Sequence, residues 1–126
     1  MKFEHHAVNV PDARASVAWY VKHLGLQVIR SMPDEPWMTF LGDDTGRVFL
    51  ELYTNKKVAI PDHQAALPLN FHIAFVAADA RGTKASLEAA GAKTVSDDTL
   101  PDGSVLVMMR DPWGVPLQFC QRSKPF

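Results

Sequence analysis

Two histidines and two oxygen-bearing side chains recur along the chain at one fixed offset. Adding 67 to His5 gives His72, and adding 67 to Glu51 gives Gln118, so each half carries a histidine followed 46 residues later by a glutamate or a glutamine. Imidazole nitrogen, carboxylate oxygen and amide oxygen are ligands that divalent Zn, Ni, Co, Fe or Mn accept. The spacing therefore predicts one divalent metal ion held by two nitrogens and two oxygens.

The sequence around the two histidines supports an internal repeat. Segments 5–14 and 72–81 read HHAVNVPDAR and HIAFVAADAR, and five of their ten positions are identical. Average residue usage gives about one identity or fewer by chance. We therefore expect two copies of one unit, related by a pseudo-twofold axis, that present matching residues to a shared site.

Composition limits the classes of partner. The chain has 126 residues, 13 Lys and Arg against 14 Asp and Glu, and no basic run longer than Lys56-Lys57, so a nucleic-acid partner is not expected. Cys120 is the lone cysteine, which excludes an internal disulfide. The N-terminus lacks an apolar targeting run, and no stretch approaches the roughly 18 apolar residues of a membrane span. These features favour a cytoplasmic protein with a small-molecule partner and no membrane contact.

Strand and helix patterns alternate twice along the chain. Residues 3–10 alternate with the period of two that is typical of a strand, with His5 on one face. Asp12 and Gly25 mark the start and end of a first helix, and Asp79 with Gly91 repeats these signals in the second half. Further strands are predicted at 26–32, 37–41, 47–53, 70–76, 93–96, 104–110 and 115–122. The order is βαβββ repeated, an α+β class, in one domain with unit one at 1–53, a linker at 54–68 and unit two at 69–126.

Two phrases carry a resemblance to a known family. SVAWYVKHLGL in the first helix and its exit, and DPWGVPLQF near the C-terminus, resemble the vicinal oxygen chelate superfamily of glyoxalase I, methylmalonyl-CoA epimerase, extradiol dioxygenases and bleomycin and fosfomycin resistance proteins. The resemblance implies a glyoxalase-like fold in which two βαβββ units form an eight-stranded cup. It also implies metal ligands on the first and last strands of each unit, at His5, Glu51, His72 and Gln118. The chain departs from the family at Gln118, where a glutamate is usual and serves as a base in glyoxalase I.

The ligand set narrows the expected chemistry. Glu51 is the only carboxylate of the four and is the candidate general base, because Gln118 cannot ionise. The favoured function is a metal-dependent, glyoxalase-I-like lyase or isomerase, in which the metal binds vicinal oxygens and stabilises an enediolate while Glu51 moves the proton. Two alternatives stay open: an Fe or Mn ring-cleaving dioxygenase that uses His5, His72 and Glu51, and a non-catalytic drug-binding protein of the resistance type. A homodimer is expected because paired half-cups expose edge strands.

The remaining histidines are not expected to bind metal, and several aromatic and other strand residues are candidates to line the pocket. We expect His6 to be structural, and His23 and His63 to lie at the surface. Candidate pocket walls are strand residues with apolar or adaptable side chains. They are Trp37, Met38, Thr39, Phe49, Tyr53 and Met108.

Overall fold

The computed structural model describes residues 1–126 and divides them into two compact units, Met1–Pro61 and Asp62–Phe126. Unit one contains β1 (His6–Asn9), α1 (Ala13–Leu24), β2 (Gln27–Ser31), β3 (Thr39–Gly42) and β4 (Val48–Tyr53). Unit two contains β5 (Ile73–Val76), α2 (Ala80–Ala89), β6 (Lys93–Thr99), β7 (Val105–Arg110) and β8 (Pro116–Gln121). The βαβββ order occurs twice, which confirms the predicted α+β class.

Each unit forms its own four-stranded mixed sheet. The strand orders are β1-β4-β3-β2 in unit one and β5-β8-β7-β6 in unit two, so the eight strands make two sheets and no closed barrel. The first strand of each unit runs parallel to the last, while the other pairs are antiparallel. A parallel pair requires a long crossover, and the helix and the two intervening strands supply it. The predicted ligands of each unit therefore come from neighbouring strands.

Both helices begin at an aspartate of the repeat. The side chain of Asp12 accepts a hydrogen bond from the Ala15 amide at 3.0 Å, and that of Asp79 accepts from the Gly82 amide at 2.9 Å. Each bond satisfies a backbone donor that the first helical turn leaves without a partner. At the other end of α1, Gly25 has a φ of 69°, a left-handed conformation that its missing Cβ permits. The helix signals of the sequence are thus confirmed.

The hydrophobic core of unit one fixes the direction of the Glu51 side chain. Leu50 and Leu52 on β4 are fully buried, and α1 packs against this strand. Successive side chains of a strand point to opposite faces, so Glu51 lies on the face away from the helix. Full burial of a leucine side chain contributes roughly 1.5–3 kcal/mol. The two leucines therefore oppose any one-residue slip of β4 that would turn Glu51 toward the core.

The segment predicted as a linker, 54–68, is bonded to both units. The Thr54 hydroxyl accepts from the Ala13 amide at 2.8 Å and donates to the Val10 carbonyl at 2.9 Å, which ties the start of the segment to unit one. In unit two, the Arg110 guanidinium donates to the backbone carbonyls of His63 and Ala66, both at 2.6 Å. The expectation that His63 lies at the surface was wrong: it is 8% exposed, because Arg110 holds this backbone against the unit.

Neither helix combines the length and the apolar character that a membrane span requires.

Candidate functional site

In unit one, His5 and Glu51 are in direct contact. His5 lies one residue before β1, and Glu51 lies within β4 opposite Ala7 of β1. The Nε2 atom of His5 is 3.0 Å from Oε2 of Glu51. An unprotonated imidazole nitrogen and a carboxylate oxygen both accept hydrogen bonds, so one proton must lie between them. A metal ion could take the place of that proton.

The His5 and Glu51 pair lies in a partly apolar environment. Glu51 is 8% exposed, and Phe40 of β3 lies directly opposite it in the sheet. The Phe40 ring also contacts His5 edge-on, with the ring centroids 5.3 Å apart. Burial of a carboxylate is costly unless a proton, a cation or hydrogen bonds compensate its charge. The pair is therefore suited to hold a cation beside Glu51.

The second ring nitrogen of His5 also faces a carboxylate. Nδ1 of His5 is inaccessible to solvent and lies 2.9 Å from Oε2 of Glu4, although the two groups are not aligned as a hydrogen bond. The Glu4 side chain is 83% exposed. His5 thus lies between two glutamates, one buried and one at the surface.

Unit two places His72 and Gln118 at the corresponding positions. His72 lies one residue before β5, and Gln118 lies on β8 between Ala74 of β5 and Met108 of β7. Nδ1 of His72 is 2.8 Å from the Pro68 carbonyl oxygen. A carbonyl oxygen only accepts, so Nδ1 carries the proton and Nε2 keeps its lone pair for a ligand. The Gln118 amide oxygen accepts from the Cys120 thiol at 3.3 Å.

Neither unit holds a complete metal site. Within each unit, no group of three or more His, Cys, Asp or Glu side chains is arranged to hold a metal ion. Each unit offers one imidazole and one side-chain oxygen, whereas a catalytic metal usually takes three protein ligands or more. Unit one therefore presents an imidazole beside a carboxylate, and unit two has an imidazole and an amide on neighbouring strand positions.

A bulge in β4 explains why sequence reasoning missed Phe40. The pairing of β3 with β4 skips Phe49, whereas β7 and β8 pair without interruption. The offset is therefore 68 between β3 and β7, although it is 67 between Glu51 and Gln118, so that Phe40 corresponds to Met108. Phe40 lies opposite Glu51, and Met108 lies opposite Gln118. Only an alignment with an inserted residue would have revealed this correspondence.

One of the predicted pocket walls, Thr39, is placed differently. Thr39 is paired with Leu52, so it lies on the helix-facing side of the sheet and not on the side of Glu51. The Trp37 ring is covered by the Arg14 guanidinium, whose central carbon is 4.7 Å from the ring centroid. The prediction for Phe49 assumed regular alternation, which the bulge interrupts. Of the remaining predicted walls, Tyr53 lies opposite Asn9 in the strand ladder, two residues beyond Glu51.

Comparison with known protein families gives a match over nearly the whole chain. The model of the Glyoxalase/Bleomycin resistance protein/Dioxygenase superfamily matches residues 2–119. No curated protein sequence matches the chain significantly.

Solved structures with the same fold include enzymes and a binding protein. The trypanothione-dependent glyoxalase I of Leishmania major is 25% identical with a TM-score of 0.74, and the match covers 96% of this chain and 86% of that one. Lactoylglutathione lyase from Agrobacterium tumefaciens is 20% identical with a TM-score of 0.66, covering 95% and 92%. An antibiotic-binding protein from a Streptomyces species is 18% identical with a TM-score of 0.73, covering 98% and 97%. A shared fold does not by itself select one of these activities.

Proposed function

Because the chain belongs to the Glyoxalase/Bleomycin resistance protein/Dioxygenase superfamily, we propose that it is a metal-dependent lyase or isomerase of the glyoxalase I type. Its substrate is a small molecule with oxygens on neighbouring carbons. The observation that carries the proposal is the contact of His5 with the buried Glu51, at 3.0 Å. This contact joins a metal ligand to an ionisable group that can move a proton.

The proposed ligands of one divalent ion are His5 and Glu51 from unit one, with His72 and Gln118 from unit two. The donor chemistry fits Zn, Ni, Co, Fe or Mn, which accept imidazole together with oxygen ligands. Both imidazoles have Nδ1 close to an oxygen atom, which favours Nε2 as the ligand atom. When bound, the ion acts as a Lewis acid toward the substrate oxygens and increases the acidity of the adjacent C–H group.

Glu51 is the proposed general base. Its carboxylate takes the proton from one substrate carbon and returns it to the neighbouring one, a task that the amide of Gln118 cannot perform. The Phe40 ring beside His5 limits access of water to this part of the site. A base in such an environment is screened less by solvent than one at the surface.

A direct assay separates this function from its alternatives. Protein loaded in turn with each of the five ions is tested on the hemithioacetal of methylglyoxal and glutathione, and oxygen uptake is followed with a catechol. Turnover of the hemithioacetal supports the proposal. Oxygen uptake with catechol alone would replace it with the dioxygenase function. Absence of both activities, together with tight binding of an apolar drug, would replace it with a binding function.

The sheet edges support a homodimer. β2 is an edge strand in which all five residues are exposed, and Val28 and Ile29 are 47% and 44% exposed. Unpaired apolar edges favour association with another chain. We propose a homodimer, which sedimentation equilibrium tests, and a cytoplasmic location, with which the unpaired thiol of Cys120 is compatible.

A further inference from the structure

We propose that Glu4 is the residue that orients His5 as a metal ligand. The inference rests on the metal site of the proposed function. His5 can present the lone pair of Nε2 only if Nδ1 carries a proton, and that proton requires an acceptor. Oε2 of Glu4 lies 2.9 Å from Nδ1 and is close enough to become that acceptor.

The burial of Nδ1 makes this acceptor necessary. Nδ1 is not accessible to solvent and has no hydrogen-bond partner. A buried polar atom without a partner destabilises the conformation that contains it. The Glu4 side chain is 83% exposed, so surrounding groups do not prevent its carboxylate from aligning with Nδ1. The resulting bond fixes the ring with Nε2 toward Glu51.

In unit two, a backbone carbonyl is the acceptor for Nδ1 of the corresponding histidine. The residue equivalent to Glu4 is Phe71, which has no acceptor atom, and the Pro68 carbonyl takes the role at 2.8 Å from Nδ1 of His72. Both units thus provide an oxygen for Nδ1 of their histidine, from different sources. A side chain can be replaced where a backbone carbonyl cannot, which makes Glu4 open to a direct test.

Arg47 fixes the segment that carries Glu4. Residues before β1 receive no strand-ladder bonds from β4, yet Nη2 of Arg47 donates to the Phe3 carbonyl at 2.9 Å. Arg47 directly precedes β4, the strand of Glu51. The segment that carries Glu4 and His5 is therefore bonded to the residue that precedes the strand of Glu51.

Zinc affinity provides the first readout. Competition with a chromophoric chelator is measured for wild type, Glu4→Ala and Glu4→Gln, with Asp44→Asn as a control that removes an exposed charge of the same unit. Loss of an outer partner of a ligating histidine lowers metal affinity about 10- to 100-fold, which is the result expected for Glu4→Ala. Glu4→Gln should lose less, because its amide oxygen still accepts, and Asp44→Asn should match wild type. Wild-type affinity in Glu4→Ala would overturn the proposal.

Histidine ring nitrogen NMR of the zinc-loaded protein, in which Nε2 of His5 is the proposed ligand atom, provides a second readout. Wild type should show a proton on Nδ1 of His5 that exchanges slowly with water. Glu4→Ala should lose this protection, while the Nδ1 proton of His72 persists and reports that the variant is folded. A wild-type His5 without a proton on Nδ1 would overturn the role of Glu4. If wild type binds no zinc at all, the metal proposal itself fails, whereas zinc binding that is equally tight in wild type and Glu4→Ala refutes the role of Glu4 alone.

Discussion

Glu51 is the single ionisable group among the proposed oxygen ligands, and its substitution separates metal binding from proton transfer. Glu51→Gln keeps the size and an oxygen donor but removes the base. Since general-base catalysis contributes about 10²- to 10⁴-fold, we expect kcat of metal-loaded protein to fall by at least about 10²-fold. Steady-state kinetics on the hemithioacetal, with bound metal measured in the same sample, checks this. Full kcat with metal bound would place the base elsewhere.

Gln118 allows the opposite experiment. Gln118→Glu places a second carboxylate at the position that resembles the family's base, so we expect metal-loaded variant to keep or exceed the wild-type hemithioacetal turnover. An added carboxylate also strengthens binding of a divalent cation. Gln27→Glu, on the exposed strand β2, is the matched control and should leave both properties unchanged. A Gln118→Glu protein that binds metal tightly but loses turnover would contradict the assigned role.

The sequence predicted part of the local geometry and missed part of it. The common offset of 67 identified the histidine and oxygen residues, and the structure places each pair on neighbouring strands. It could not identify Phe40, because the bulge at Phe49 changes the offset within one strand pair. Nor could it identify Glu4, because the partner of a ring nitrogen depends on side-chain rotation rather than on spacing.

Equivalent residues of the two helices have acquired different partners. Arg14 follows the cap of α1 and stacks on Trp37, whereas Arg81 follows the cap of α2 and bonds to Asp97 of β6 at 2.8 Å. Lys84 also contacts Asp97, at 2.6 Å. The hydrogen bond from Arg81, then that from Lys84, lowers the pKa of Asp97 below its ordinary value of 3.8. α2 is thereby connected to β6 through one carboxylate.

This connection predicts a pH dependence of stability. A carboxyl whose pKa is lowered on folding stabilises the protein above its unfolded pKa, here 3.8, and the stabilisation is lost as pH falls through the lower folded value. Asp97→Asn should therefore lower the free energy of unfolding at pH 7 by a small amount, because the site is solvent-screened. The difference from wild type should be smaller at pH 2. Urea unfolding at both pH values measures it.

The neighbouring Asp98 provides the control for this element. It is exposed and forms no salt bridge, so Asp98→Asn removes the same charge without breaking the bonds to α2. We expect it to unfold like wild type at pH 7. An Asp97→Asn deficit that is equally large at pH 2 would show that the carboxylate charge is not the cause.

Helix bounds were predictable where strand bounds were not. Capping aspartates and terminal glycines are local signals, and both helices begin where they indicate. The strands predicted at 3–10 and 70–76 are only four residues long in the structure. A strand extends only where a neighbouring strand pairs with it, and β4 and β8 pair with four residues each. β6 extends to Thr99 instead of ending at 96, since its ladder with β7 tolerates polar residues that give no strand signal by themselves.

At the scale of the whole molecule, the proposed metal site draws on both copies of the repeated unit. One βαβββ unit brings a single imidazole and a single oxygen side chain to adjacent strands, which is too few ligands for a catalytic metal. The second copy has the same arrangement, with Gln118 where unit one has Glu51, and the proposal combines the donors of both copies. The fold is shared with lyases and with an antibiotic-binding protein, so the ligands and the base distinguish the functions.

The metal content of the purified protein tests this account most directly. Protein prepared without chelator is loaded, dialysed and analysed by mass spectrometry for wild type, His5→Ala, His72→Ala and the double variant. His23→Ala, which removes a histidine of α1, is the control. We predict one divalent ion per chain in wild type and control, loss of most of it in either single variant, and none in the double variant. Unchanged metal content in the double variant would show that the two histidines are not the ligands.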